Sequence, residues 1–447
     1  MYSFYKYLPF YKRNIQVALP VMITQAGQVL VQLADNIMVG HVGTAELAGV
    51  SFANSIFVIG LIALIGFSQG IIPLVGQSVG ENNHISVANY LKNSTLLNII
   101  AYSSVFLILF IIGFFMHRFG QKPEVVAFAN QYYFINLFSI IPMAVFFTLR
   151  FFAEGVGNTK YAMWVTVISN LINVFLNWLL IYGHWGLPAM GVVGAATATL
   201  VSRILCAVVF LVIFFKAKKF LYYTRLSYSL PFQKQTLREL FYISYPIALT
   251  GLLESTAFCF FAVVMVGWIG TVELATHQIV QSLGNLSFMV ATGIGSATTI
   301  RVSHQIGAGK VDDAKMAGIA ALHLALLYMG TCGLIFVLLR HSLPYAFTND
   351  PLVIQASSSL ILILGLYQIF DAIQLTSISA LRGLKDTKVP MLISAIAYYL
   401  ISVPLGYLLG LKCNLGVNGV WLGLTFGLLF IAIISYVRFI RMIKIIK

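Results

Sequence analysis

Three carboxylates, Asp35, Glu254 and Asp371, stand inside otherwise apolar stretches of this 447-residue chain. Most of the 13 acidic residues fall in polar gaps or at the ends of apolar runs. An ionisable group in the middle of an apolar helix costs about 2.5–3.5 kcal/mol on insertion scales, so it faces a cavity or a partner. Two of the acids, Asp35 and Asp371, have polar company at helical spacing. Gln25, Gln28, Gln32 and Asp35 recur at i, i+3, i+7 and i+10, which is one helix face. Tyr367, Asp371 and Gln374 form a second stripe, Asn170, Asn173 and Asn177 a third, and His277, Gln281 and Asn285 a fourth. Amides alone do no more than glue helices together, at about 0.6 kcal/mol per hydrogen bond. Stripes that hold an unanswered acid ask for a positive charge, and among the apolar stretches Arg203 is the only basic residue placed to supply one. Carboxylate, amide, hydroxyl and carbonyl oxygens suit a hard cation such as Na⁺. They suit proton exchange equally, because burial and neighbouring charge move a carboxylate's affinity for H⁺ in opposite directions. Residue types alone leave both open.

The elements that must hold these stripes are membrane helices. The chain is 60% hydrophobic and 9% charged, against about 25% charged in an ordinary soluble domain. A hydrocarbon layer about 30 Å thick needs roughly 20 apolar residues as helix. Cutting at charged or Gly/Pro-rich gaps gives twelve runs, near 14–39, 47–78, 91–116, 124–150, 161–183, 190–215, 239–268, 274–303, 314–340, 351–380, 389–411 and 415–437. The net charge of +14 does not point to nucleic acid, because it lies in alternate gaps and forms no basic stripe. The termini and the even-to-odd connections hold 22 Lys and Arg, and the opposite connections hold four. The positive-inside bias therefore puts both termini in the cytoplasm of a multi-pass inner-membrane protein. The four cysteines have no metal-type spacing and read as small hydrophobes.

The chain repeats itself. "VGHVGTAELA" from Val39 returns as "VGWIGTVELA" from Val266, Pro20 as Pro246, "EGVGNTK" (154–160) as "RGLKDTK" (382–388), and "MGVVGA" (190–195) as "LGVNGV" (415–420). With six spans per half, both copies begin on the same side, so they are parallel repeats about an axis along the membrane normal. The predicted fold is all-α integral membrane, twelve transmembrane helices in two parallel six-helix lobes. Residues 1–215 and 239–447 are the lobes, and 216–238 is a basic cytoplasmic linker. The acids do not repeat: Asp35 aligns with Ala262, Glu254 with Gly27, and Asp371 with Met143. Pro20 and Pro246 each free a backbone carbonyl and mark candidate hinges.

Twelve spans in two halves, the "VGHVGTAELAGVS" turn, Asp35 in span 1 and acids on spans 7 and 10 resemble the multidrug and toxic compound extrusion transporters, in their NorM-like branch. The resemblance runs over roughly residues 13–440. It implies a cation-coupled antiporter, working by alternating access between two lobes around a cleft. Such a protein exports lipophilic, mostly cationic compounds in exchange for Na⁺ or H⁺. It implies an amino-terminal cation site at Asp35, Asn173, Asn177 and Thr199 (or its neighbour Thr197), and a carboxy-terminal one at Glu254, Asp371 and Tyr367. Gln28, Gln32, His277, Gln281 and Gln374 are candidates to line the substrate path. Expected besides are no catalytic residue, no resident cofactor, no nucleic-acid partner and a monomer in the bilayer, with Asp35, Glu254 and Asp371 holding Na⁺ if sodium is the coupling ion. Two other readings fit less well. A lipid-linked saccharide flippase asks for a basic cleft, and an intramembrane aspartyl protease asks for a GxGD context that neither Asp35 nor Asp371 has.

Overall fold

The computed structural model describes residues 2–447, with side chains from residue 6 onward, and its described residues form helices joined by short turns, without a strand. The first half is α1 (Tyr2–Gly40), α2 (Thr44–Gln69), α3 (Ile71–Gly80), α4 (His84–Phe114), α5 (Pro123–Phe138), α6 (Ile140–Gly155), α7 (Lys160–Tyr182) and α8 (Gly191–Lys216). A short α9 (Lys218–Ser229) follows. The second half is α10 (Lys234–Thr256), α11 (Val263–Ile269), α12 (Thr271–Gly307), α13 (Val311–Leu338), α14 (Pro351–Gly383), α15 (Lys388–Ala395), α16 (Val403–Tyr407) and α17 (Gly416–Ile446). π-Helical stretches at Ala257–Ala262, Ile396–Ser402 and Leu408–Lys412 join α10 to α11, α15 to α16, and end the α15–α16 span.

Among the described residues ten helical segments are long and apolar enough to cross a membrane, and α5 with α6, bent by 44°, makes an eleventh. The remaining run is α12, whose 37 residues suffice in length. Its hydropathy is diluted by His277, Gln281, Asn285 and Arg301, polar groups that a bundle interior tolerates. The twelve-span architecture is thus present, with breaks that periodicity alone did not place. The bend between α5 and α6 falls at Ser139, whose hydroxyl donates to the Asn136 carbonyl at 2.5 Å and receives Arg203 Nη1 at 2.5 Å. Side chains inserted into the helical ladder are a physical cause of such kinks.

The repeated turn has a local explanation. Gly43 precedes α2 and Gly270 precedes α12, and in each case the glutamate three residues on folds back over the glycine. A Cβ at Gly43 would lie 2.2 Å from Glu46 Oε2, and one at Gly270 2.4 Å from Glu273 Oε2. The carboxylate over the first turn also meets the positive end of the helix dipole.

Compactness divides the chain into residues 23–248 and residues 1–22 with 249–447. The two cuts fall inside α1 and α10, each two residues after one of the paired prolines, Pro20 and Pro246. In the unit of residues 23–248, α9 buries Phe220, Tyr223, Thr224 and Ser227. That spacing is one face of an amphipathic helix. Phe220 stacks on Phe214 with ring centres 4.5 Å apart, and the Tyr223 hydroxyl is hydrogen-bonded to His84 Nδ1 at 3.0 Å. In the other unit, the first half of α1 docks through Ala18 in a cluster with Ala291, Ile294 and Ala325. Asn14 Nδ2 donates to the Ala317 carbonyl at 2.9 Å.

The tightest backbone approach in that second unit is between α16 and α17. A Cβ at Gly423 would sit 2.2 Å from Gly406 N and 2.5 Å from Gly406 Cα, whereas one at Gly330 would meet nothing within 4 Å. Overpacking of this kind costs about 1–3 kcal/mol. Gly423→Ala is therefore expected to lower the thermal unfolding midpoint of the detergent-purified protein by several degrees, with Gly330→Ala unchanged. Equal midpoints for the two variants would show that α16 and α17 do not pack as described.

Candidate functional site

The residues of the two predicted carboxylate groups lie each within one unit. In the unit of residues 23–248, Asp35 on α1 accepts a hydrogen bond from Asn177 Nδ2 on α7. The same amide donates to Asn173 Oδ1 at 3.3 Å, so the third polar stripe converges on the acid. Asn177 is fully buried, and its Oδ1 has no hydrogen-bond partner. That leaves an amide oxygen beside a carboxylate, which is the donor chemistry of a hard-cation site. Thr199 and Thr197 spend their hydroxyl protons within α8, on the carbonyls of Ala195 at 3.0 Å and Val193 at 2.7 Å. Only their lone pairs are left to face a cation. Gln28 is half-buried on the same helix as Asp35, while Gln32 is exposed.

Arg203 stands in electrostatic range of Asp35 and of the Tyr132 hydroxyl. It is not an ion-pair partner. Its guanidinium is held by Ser139 Oγ at 2.5 Å and Asn136 Oδ1 at 3.4 Å, with its charge 5.3 Å from the centre of the Phe57 ring. Attraction to an aromatic face adds to that anchorage.

In the unit of residues 1–22 with 249–447, α14 presents Tyr367, Gln368, Asp371 and Gln374 as one buried polar face. Asp371 is 2% exposed, and its Oδ1 has no hydrogen-bond partner. Glu254, on the last turn of α10, is a charged group in electrostatic range of it. Tyr367 and Tyr398 complete the cluster around the two acids. Gln374 Nε2 donates to the Tyr398 hydroxyl at 3.1 Å and leaves its own Oε1 unsatisfied. Phe258 closes the cluster, with its ring 5.9 Å from Tyr367 and 6.1 Å from Tyr398. An unpartnered carboxylate oxygen and an unpartnered amide oxygen, both buried, fit a proton or a small hard cation. Among the described residues no three of His, Cys, Asp and Glu gather as a transition-metal site would require.

Reading Arg203 as the only basic residue available to the buried acids needs correction. Arg382, near the end of α14, is a second: its charge is felt by Glu254. It lies past the apolar run 351–380 but still on α14, which runs on to Gly383. Sequence reading also missed Tyr398 and Tyr399, which lie in the π-helical stretch Ile396–Ser402 opposite Glu254 and Thr256. A π-stretch carries no periodic signal. The widened turn is frequent at functional sites.

The fourth stripe lies apart from hydrogen bonds with these acids. His277 is fully buried and accepts from Trp421 Nε1 at 3.1 Å through Nδ1, and Gln281 Nε2 approaches Cys259 Sγ at 3.7 Å. The Gln368 amide crosses to Ser287 Oγ at 2.6 Å, tying α14 to α12.

The Gln374–Tyr398 bond gives a direct check on this geometry. Removing the phenol oxygen strands a buried amide donor, at about 1–3 kcal/mol. Tyr398→Phe is expected to lower the unfolding midpoint by several degrees, while Tyr407→Phe, at a ring 42% exposed, leaves it in place. A Tyr398→Phe protein as stable as the parent would mean the bond is not made.

Comparison with known proteins places the chain in a family. The MatE family model matches twice, over residues 20–179 and 246–408, so each match begins at one of the paired prolines. The chain is 30% identical over 442 residues to the probable multidrug resistance protein NorM of Rhizobium meliloti, covering 97% of this chain and 94% of that one. It is 30% identical over 434 residues to the multidrug resistance protein NorM of Aliivibrio fischeri, covering 95% and 93%. Among solved structures it superposes with a TM-score of 0.89 on an outward-facing multidrug resistance MATE family transporter of the MOP superfamily, at 21% identity and covering 98% and 96% of the two chains. By its twofold match and its shared architecture the chain belongs to the MatE family, and it is a secondary transporter rather than an enzyme.

Proposed function

We propose that the protein is a cation-coupled exporter of lipophilic, mostly cationic organic compounds, with Glu254 and Asp371 as the coupling carboxylates. One observation carries this reading: Asp371 is buried with an oxygen that nothing in the protein satisfies. A charge left in that state is far costlier than a paired one, so the site is built for a visitor. Glu254 and Asp371 bring two negative charges and Arg382 one positive. A single monovalent ion, Na⁺ or H⁺, then neutralises the cluster. The Asp35 group, with Arg203 already in range, has less need of one.

An antiporter requires its inward ion and its outward cargo to favour opposite states, and a ligand shifts an equilibrium only by its differential affinity. Competition of both cations for the same carboxylates supplies that difference. Gln28, Gln32, His277 and Gln281 stay assigned to the substrate path, on their placement along α1 and α12. The relatives named multidrug resistance proteins support the cargo class. Pro20 and Pro246 are proposed hinges, since both unit boundaries lie two residues beyond them. Solved neighbours are described as MATE in the bent and in the straight conformation. Both termini in the cytoplasm of the inner membrane follow from the distribution of Lys and Arg.

The test is efflux of a fluorescent lipophilic cation from proteoliposomes, with Na⁺ and pH gradients imposed separately. One gradient is expected to drive exchange. Glu254→Gln and Asp371→Asn are each expected to lower the driven rate by about tenfold or more, the loss of a charge-assisted contact, at unchanged expression. Transport at the parental rate by both amide variants would remove the carboxy-terminal acids from the mechanism. A second expected outcome concerns Pro246→Ala: driven transport falls while equilibrium binding of the dye is kept, because the hinge and not the site is changed.

A further inference from the structure

Arg301 is a half-buried cation that the transport reading does not use. It lies on α12, two turns before the helix ends at Gly307, between Ile300 and Val302, both fully buried. Two of its guanidinium nitrogens, Nε and Nη2, are buried and have no hydrogen-bond partner. These two N–H groups form one edge of the planar fork, the edge that receives carboxylate or phosphate oxygens in pairs. Buried donors are rarely left empty, and an orphan pair points to an ion that the protein takes from outside.

The surroundings favour an anion. The charged groups in range of Arg301 are Arg13 and Asp313. Arg13 is brought there by the first half of α1, which is fastened to α13 through Asn14 and the Ala317 carbonyl at 2.9 Å, and through the Tyr11 hydroxyl and His323 Nδ1 at 2.8 Å. No ion pair joins Arg301 to Asp313, and the neighbouring Asp312 is engaged by Lys447 at 2.8 Å. Two guanidiniums against one carboxylate leave a positive surplus. The fold does not demand it, since the repeat mate of Arg301 is Leu74, a fully buried apolar residue. This end of α12 is also the end that the charge distribution assigns to the cytoplasm, where anionic lipid headgroups lie at the mouths of basic pockets between helices.

We infer that the Nε–Nη2 edge of Arg301, with Arg13 beside it, is a docking site for a phosphate group at the cytoplasmic face of this unit. A lipid headgroup and a soluble phosphate offer the same oxygens, and the experiment separates them. The detergent-purified full chain is titrated with short-chain phosphatidylglycerol, with inorganic phosphate, and with a phosphate-free glycolipid of equal chain length, following the thermal midpoint. The lipid phosphate is expected to raise the midpoint saturably and the glycolipid not to. Arg301→Lys keeps the charge but loses the fork, and is expected to weaken the half-saturating concentration by about tenfold. Arg13→Gln leaves the fork intact and is expected to weaken it several-fold, a variant that keeps the test alive should Arg301→Lys fold poorly. Inorganic phosphate producing the same Arg301-dependent shift supports the site and assigns it to a soluble anion. The inference is overturned if neither phosphate compound gives a shift that depends on Arg301 or Arg13. It is equally overturned if Asp313→Asn, without any ligand, lowers the midpoint as much as Arg301→Lys does. Asp313 would then be the resident partner.

Discussion

The cost of holding an ionised carboxylate away from water governs the second half of this molecule. Asp371 is buried on α14 one turn after Tyr367, which packs in an apolar cluster with Leu360, Ile361, Leu364 and Trp421. A charge in such surroundings is tolerable only with a partner and with hydrogen bonds, and Asp371 Oδ1 lacks the second. Much around it can be read as a response. The polar face of α14 carries tyrosine and amide groups at successive turns. The π-helical stretches after Glu254 and around Tyr398 widen the helices where those groups meet. Arg382 supplies half of the compensation for two acids and no more. A fully compensated cluster would be more stable and would have no reason to bind an ion.

The duplication makes the same point from the opposite direction. Where the first half has Asp35, the second has Ala262, fully buried in an apolar cluster with Met265 and Val266. Where the second half has Glu254, the first has Gly27, at which even a Cβ would lie 3.1 Å from Asn170 Nδ2. Where the second has Asp371, the first has buried Met143. A carboxylate copied to any of the three would meet apolar atoms or a crowded amide. The basic residues are redistributed too. Arg150 and Glu154 form a buried ion pair at 2.9 Å in the first half; their mates are Ile378 and Arg382. The second half thus keeps a cation at the position of the acid and points it at Glu254 instead.

Much of this was legible in the sequence, because membrane helices write their length and polarity directly into residue order. The twelve spans, the twofold repeat and the stripes around Asp35 and Asp371 all rest on period and composition, and Asn177 and Asn173 do converge on Asp35. What periodicity could not reach was of two kinds. Helix breaks made by long-range contacts, such as Ser139 against Arg203, leave no local mark. Groups recruited from other elements are equally silent. Tyr398 sits in a π-stretch of span 11, and Arg382 sits where α14 outlasts its apolar run. The compact units likewise follow contacts between elements and not local composition. The basic stretch 216–238 looks like a boundary between lobes, yet α9 packs through Phe220 and Tyr223 into the unit of residues 23–248, and the compact units part within α1 and α10.

That last feature links the backbone to the carboxylates. A proline inside a helix removes one hydrogen bond and lets the axis bend at low cost. Pro20 and Pro246 therefore put the softest points of α1 and α10 beside the places where each helix passes from one unit to the other. Asp35 and Glu254 lie farther along the same two helices, about 22 Å and about 12 Å beyond the prolines at a rise of about 1.5 Å per residue. A helix transmits rotation about a bend to everything past it, since its backbone bonds keep the remainder stiff. Binding at either carboxylate then bears on the bend, and a change of bend bears on the carboxylate. The lever is shorter for Glu254, and its cluster carries the uncompensated charge. Both facts underlie the proposal that the second half holds the coupling site.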